Sequence, residues 1–491
     1  MSKFRFRLLL AAAALLCFGG CKVGPNYHRP DVPLAPEWKE EPPWRVANPQ
    51  DSLPKGDWWS IFAEPELSGY EAQAIKANQT IEIARNQLAQ ARASVRITQA
   101  GWFPQLTAGA SAQRGRSSAN QPTASGVPLA NAATQGTFII PFNVSWEADV
   151  FGGVRRSVES SSALYQAQAA SLENVRLLIT SELAVDYFSL RELDVEIAVV
   201  ESAAEYQAKA LRLVQNRHEG GVASGLDVAQ QETQLNATRT QATLLRQQRA
   251  QFEHAIAALV GVPAPLFTVP VRPLTVEPPV IPAGLPSDVL ERRPDVAQAE
   301  RQMAAQNAQI GVARAAFFPS IGLSGSGGFE STGLASILSA SSGFWALGAN
   351  VAQTVFSGGR RKAQMDFAKS GYDATVANYR QSVLTSFQEV EDGLSGLRIL
   401  ADAARTQQLA VDAAQRALKI ATDRYTGGLV TYLDVITAEQ TLLDTQRLAA
   451  QILRQRLITS VGLIKALGGG WDAASLQAVQ VKTEVKQAVR P

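Results

Sequence analysis

Side chains able to do covalent or metal chemistry are scarce in this chain of 491 residues, which holds three histidines and two cysteines. His28 lies in a Pro-rich stretch, while His218 and His254 lie in long runs of helical character. None has a cysteine or a second histidine at ligand spacing. There is no Walker-type phosphate loop, no zinc-ligand spacing and no dinucleotide fingerprint. The sequence therefore predicts a protein that is not an enzyme and needs no cofactor. A net charge of +2 carries no nucleic-acid signature. The best-placed charged residues are Asp227 and Asp434, each six positions after the second glycine of a Gly-Gly pair. Read by themselves they are carboxylates on a solvated helical face, or early-turn carboxylates complementing a helix dipole.

One residue is placed for covalent modification. Lys3, Arg5 and Arg7 precede an apolar run from Leu8 to Phe18, and Gly19-Gly20 lead into Cys21. The run is too short to span a bilayer stably and reads as a secretory signal over residues 1–20. Small residues directly before a cysteine resemble the bacterial lipoprotein cleavage box, which implies that Cys21 becomes the first mature residue and carries covalent lipid, palmitate included. The alternative is a plain signal peptide cut nearby. Phe18 departs from the usual leucine of that box. Lys22 follows, and the absence of Asp there implies, by the same resemblance, delivery to the outer membrane. Removing the signal takes three of the 46 basic residues, leaving 43 against 44 acidic ones, and takes Cys17, so no internal disulfide remains possible. Only Met303 and Met365 are left among the methionines, so no ladder for soft metal ions is visible.

The elements that position these residues come from a chain that repeats itself once. Ala100-Gly101-Trp102-Phe103-Pro104 recurs as Ala315-Ala316-Phe317-Phe318-Pro319. Val150-Phe151-Gly152-Gly153-Val154-Arg155-Arg156 recurs as Val355-Phe356-Ser357-Gly358-Gly359-Arg360-Arg361. Gly220-Gly221-Val222 recurs as Gly427-Gly428-Leu429. The offsets, 215, 205 and 207 residues, are too long for a solenoid unit and define two halves, 61–262 and 287–470. Pro-rich segments flank them: a lipid-anchored stretch at 21–60 and a linker at 263–286, each with eight prolines. Residues 471–491 read as a polar tail.

Residues 155–219 contain neither Gly nor Pro and could form a helix of ~98 Å. Helices are also expected at 226–260, 360–426 and 429–461, with Gly371, Gly393 and Gly396 as points of bending in the third. Such lengths suggest coiled-coil packing. Between the landmarks the period falls to two. Leu106, Ala108, Ala110 and Ala112 alternate with polar or small residues, as do Phe142, Val144, Trp146, Ala148 and Val150. Ile321, Leu323, Gly325, Gly327 and Phe329, then Trp345, Leu347, Ala349, Val351 and Val355, do the same. Strands are therefore expected at 104–116, 138–150, 319–330 and 344–356, the length of tilted membrane-spanning strands. A soluble sandwich hairpin also alternates, but the signal, the duplication and the long helices favour the membrane. Four strands cannot close a barrel in lipid without leaving unpaired backbone edges. Three chains would supply twelve strands and a closed wall, so the expected fold is an α+β membrane protein: a trimeric 12-stranded β-barrel continued by an α-helical coiled-coil barrel.

These hairpins, duplicated landmarks and Gly-Gly turns resemble TolC, and Cys21 with Lys22-Val23-Gly24-Pro25-Asn26-Tyr27 resembles the OprM/NodT-type efflux lipoproteins. The resemblance covers essentially the whole mature chain. It implies a homotrimer in outer-membrane lipid with a long periplasmic extension. This duct would accept small molecules from an inner-membrane pump, of the RND or another class, through a periplasmic membrane-fusion adaptor. It further implies that Gly221, Val222, Gly428 and Leu429 form the adaptor-docking tip, where the residues alone indicate only helix caps. It places Asp227, Tyr425 and Asp434 at a periplasmic gate. Thr437 and Val430 stand where TolC has an acidic residue and an arginine, which implies fewer charge links across the gate. A protein-secretion duct shares the same expected fold; a structural envelope lipoprotein is disfavoured by the strands.

Overall fold

The computed structural model describes residues 22–31, 38–39, 57–116, 118, 134–274, 276–281 and 292–469. The expected signal segment 1–20, Cys21 and the tail 471–491 lie outside the described residues. In chain order the elements are α1 (Pro65–Ala77), α2 (Gln79–Gln99), β1 (Gln105–Ala108), β2 (Ser111–Arg116), β3 (Thr134–Ala148), α3 (Gly153–Glu219) and α4 (Gly225–Leu259), then α5 (Pro294–Ala315), β4 (Ser320–Ser331), β5 (Gly343–Ala352), α6 (Arg360–Thr426) and α7 (Tyr432–Ala466). They fall into two units.

The first unit, Met1–Pro30, Ala89–Tyr165 and Glu300–Ala377, holds an antiparallel sheet. β1 and β2 both pair with β3 in one register, Gln105 opposite Ser145 and Ser111 opposite Ile139. The expected single strand 104–116 is thus interrupted. The break falls opposite Pro141, which has no N–H to give to the ladder; only Gly109 N donates to Pro141 O, at 3.0 Å. β4 pairs with β3 and β5 pairs with β4, making four strand lines with β1/β2 and β5 at the edges.

The register places the alternating apolar sets on one face. Leu106 sits opposite Val144, Val144 opposite Gly325, and Gly325 opposite Leu347; Ala108, Phe142, Gly327 and Trp345 form the next row. This face is open, with Trp345 and Leu347 each 80% exposed. The facing rows of the other surface carry Asn143, Ser145, Ser324 and Ser326. A contiguous exposed apolar face of this kind marks contact with lipid or protein rather than water.

β3 begins at Thr134, four residues earlier than expected, and two strands end early. β3 ends at Ala148, not at 150, because the Asp149 carboxylate caps α3, accepting from Val154 N at 3.0 Å and Arg155 N at 2.9 Å. β5 ends at Ala352, not at 356: the Gln353 amide donates to Phe317 O at 3.1 Å, and the Arg361 guanidinium donates to Ala316 O at 3.2 Å and to Thr354 O.

The second unit, Asp31–Leu88, Gln166–Ala299 and Asn378–Pro491, is helical. Among the described residues no helix is long and apolar enough to cross a membrane. Its main core gathers Trp58, Phe62 and Leu67 with Leu183, Tyr187 and Phe188 of α3, Ile256 of α4, Val390 and Leu394 of α6, and Leu457 and Val461 of α7. α3 and α6 each have 67 residues, and α4 and α7 each have 35. The glycines expected to bend the third long helix do not interrupt it. A Cβ on Gly393 would lie 3.0 Å from Leu463 Cβ, so this glycine allows α6 and α7 to approach closely. α7 begins at Tyr432, three residues later than expected, because Thr431 is its N-cap.

Among its described residues, 263–274 and 276–281, the Pro-rich linker has one short turn, Ala264–Leu266, and otherwise no regular element, and it is riveted at Val269, Pro270 and Arg272. Arg191 of α3 donates to Pro270 O at 2.6 Å, and Arg249 of α4 donates to Val269 O at 2.7 Å. The Asp194 carboxylate accepts from Arg191 at 2.9 Å, Arg249 at 2.6 Å and Arg272 N at 3.2 Å.

Candidate functional site

Two helical hairpins in the second unit end in turns of the same construction. Where α3 stops, Gly221 takes φ +73°, and Val222 N donates back to Arg217 O at 2.8 Å. Where α6 stops, Gly428 takes φ +73°, and Leu429 N donates to Arg424 O at 2.9 Å. An added Cβ at either glycine would meet nothing within 4 Å, so glycine is required by the left-handed backbone and not by crowding. The next residues project outward: Val222 is 69% and Leu429 is 72% exposed. Leu226 and Leu433 extend each apolar tip.

The incoming helices start on capping boxes. Asp227 accepts from Ser224 N and Ser224 Oγ, both at 2.9 Å, and Ser224 Oγ in turn accepts from Asp227 N at 3.2 Å. Asp434 accepts from Thr431 N at 3.0 Å and Thr431 Oγ1 at 2.8 Å. Both acids are therefore engaged locally at their own helix starts. Tyr425 is buried beside them, with its ring 4.9 Å from that of Tyr432 and the Arg217 guanidinium 4.9 Å from its centroid. Burial pushes the Tyr425 hydroxyl up, Arg217 opposes this, and Asp227 adds to it. The structure thus brings Asp227 within electrostatic reach of Tyr425, while the packing partners of the ring are Tyr432 and Arg217.

Four residues near these turns escape a reading based on surface glycines and acids. Gln207 of α3, Gln231 of α4, and Tyr432 and Glu439 of α7 are buried, and each carries side-chain atoms without a hydrogen-bond partner among the described residues. The one bond linking them is from the Gln231 amide to Gln207 O at 2.9 Å. Burial raises the Glu439 carboxyl to about 7, and burial followed by the charge of Glu439 pushes the Tyr432 hydroxyl up. The sequence did carry a signal. Tyr432, Val435, Glu439 and Leu443 follow core spacing, so Glu439 is a carboxylate on a buried stripe.

A folded-state value above the unfolded one means the neutral acid is favoured by the fold. The stability from this group is complete below about pH 4 and is lost as pH rises through 7, by at most about 3 kcal/mol. Burial and the charge of Glu196 also raise Glu192 to about 7, so the informative quantity is the difference between proteins. Glu439→Gln should flatten the fall in thermal midpoint of detergent-solubilised protein between pH 5 and 8. Parallel curves for the two proteins would show that Glu439 stays ionised in the fold.

The family described as "Outer membrane efflux protein" matches residues 72–262 and 285–469, which include both hairpin tips and the whole sheet. The chain belongs to the outer membrane efflux protein family. The probable efflux pump outer membrane protein TtgC of Pseudomonas putida is 31% identical, over 96% of this chain and 97% of its own length. The pyoverdine export outer membrane protein OpmQ of Pseudomonas aeruginosa is 32% identical, over 94% and 96%. Among solved structures, the outer-membrane channel OprN superposes with a TM-score of 0.83 at 29% identity, covering 92% of this chain and 100% of that one. This outer membrane efflux protein is therefore a channel component of the outer membrane, and the resemblance drawn from its landmarks holds at the level of the family.

Proposed function

We propose that three copies of this chain pool their sheets into a closed twelve-stranded barrel in the outer membrane, continued by a barrel of the long helices, and that this duct passes small molecules without chemical change. The observation that carries the reading is the sheet: four strand lines, an exposed apolar face and two edge lines without a strand neighbour among the described residues. Unpaired edges in hydrocarbon cost several kcal/mol per group, and partner copies remove them. The paired helix lengths, 67 with 35 and again 67 with 35, support two duplicated halves.

In this reading the hairpin tips at Gly221, Val222, Gly428 and Leu429 meet a periplasmic adaptor, which connects the duct to an inner-membrane pump. Asp227, Tyr425 and Asp434 lie at the constriction, and Cys21 carries the lipid. The cargo belongs to the drug, toxic-compound or metal classes, with no bound cofactor. The test is purification in detergent, chemical cross-linking and planar-bilayer recording. Trimeric bands with discrete conductance steps are expected. A monomer without channel events sinks the proposal.

A further inference from the structure

The sheet of the first unit sorts its charges by face. The described strands carry four charged residues: Arg114, Arg116, Glu147 and Glu330. Successive side chains of a strand point to opposite faces, so the register assigns each of the four. Ala112 lies opposite Phe138, Arg114 opposite Gly136 and Arg116 opposite Thr134. Phe138 shares its face with Ile140, Phe142 and Val144, which is the open apolar face. Both arginines therefore belong to that face. Glu147 lies opposite Gly322 and Glu330 opposite Ile139, which puts both acids on the other one.

The arginines also sit at a particular height. On β3 every position of the apolar face from Ala148 to Phe138 is hydrophobic: Ala148, Trp146, Val144, Phe142, Ile140 and Phe138. That stretch is about 33 Å along the strand, or about 25 Å along the membrane normal at a tilt of ~40°, which is the height of a barrel's apolar band. Arg114 occupies the next position of the same face beyond Phe138, and Arg116 the one after it. A cationic side chain facing lipid is costly at the bilayer midplane and tolerated at the interface. This rim is the one remote from the helices, because β1 follows α2 and β3 runs into α3, whereas β2 ends and β3 begins here. In the proposed duct it meets the outer leaflet.

The chemistry at this rim suits phosphate. Alternate residues of a strand are about 7 Å apart, so the two guanidinium groups can reach one phosphate or two neighbouring ones. Each offers a planar fork that matches phosphate oxygens bidentately. Both arginines are exposed, and neither has an ion pair among the described residues. Gly136, opposite Arg114, leaves the adjoining stripe without a side chain.

We propose that Arg114 and Arg116 bind the phosphate groups of a phosphorylated lipid in the outer leaflet and so fix the depth of the sheet in the membrane. The inference rests on the reading of the sheet as part of a membrane barrel. The hydrophobic stripe that runs on from the arginines selects phosphate joined to acyl chains over free phosphate.

The test uses the full-length protein in detergent, titrated with bisphosphorylated lipid A, with the same lipid stripped of its phosphates, and with inorganic phosphate. We expect Arg114→Gln combined with Arg116→Gln to bind the phosphorylated lipid about tenfold more weakly, and the stripped lipid to bind the unaltered protein just as weakly. Glu330→Gln, near the same rim on the other face, should keep the full affinity. Undiminished affinity in the double variant would overturn the site. Inorganic phosphate that displaces the lipid at equal concentration would overturn the choice of a lipid. A protein that forms no membrane-inserted trimer would overturn the barrel reading itself, a separate result.

Discussion

Gly328→Val is expected to yield no heat-resistant oligomer and a drug-sensitivity profile matching that of a deletion. Gly328 of β4 faces Pro141 of β3, and a Cβ added there would lie 2.0 Å from Ile140 O, a backbone atom. No rotamer relieves that contact, so the strands must separate. The ladder at stake is the longest in the sheet, eleven residue pairs from Phe138–Ser331 to Ala148–Ile321. Its loss belongs to the exceptional class of single substitutions, above about 4 kcal/mol. The neighbouring Gly327→Val supplies the control, because a Cβ there meets Phe344 O only at 3.4 Å and Trp345 Cβ at 3.8 Å, and it points to the open apolar face. The measurement is electrophoretic mobility with and without boiling, alongside growth on dyes and bile salts. A Gly328→Val protein that assembles and exports normally would mean that β3 and β4 are not paired as described.

Asp194→Ala should be the most damaging single change in the helical unit. The Asp194 side chain is 1% exposed and serves two guanidinium groups and one backbone N–H. Its removal leaves Arg191 and Arg249 buried with less compensation, although Glu66 still pairs with the first and Glu253 with the second. Breaking a buried pair from one side costs about 3–5 kcal/mol. The linker should loosen together with the global stability, because the same arginines hold Val269 and Pro270 by their carbonyls. Denaturant unfolding gives the first quantity, and hydrogen exchange at the amides of 266–272 gives the second. A cost below about 1 kcal/mol with unchanged exchange would place the rivet elsewhere.

The sequence made the strand lines and the long helices readable because both rest on periodicity. Leu106, Val144, Leu323 and Leu347 alternate within their own segments, and pairing then puts all four on one face without further information. Interruptions that depend on a partner were not readable. The break between β1 and β2 is set by Pro141, some thirty residues away, and shows only once the register is known. The end of β3 was within reach, since Asp149 stands four residues before Gly153, where α3 begins, and an Asp just ahead of a helical run is a helix-start signal. The tip glycines were legible from their type alone. The buried pair Gln207 and Gln231 was not, because a polar residue facing a neighbouring helix is distinguishable from a solvated one only when that helix is in place.

The capping boxes at Ser224–Asp227 and Thr431–Asp434 bear on how the constriction of the proposed duct would widen. Each carboxylate already closes the first turn of its own helix. A cation or basic partner that recruits Asp434 must compete with the Thr431 amide and hydroxyl, and loosening that cap costs about 1 kcal/mol. In the proposed duct, ligand capture at this end would be coupled to unzipping of a helical turn, and dilation would proceed by local fraying as well as by tilting of whole rods.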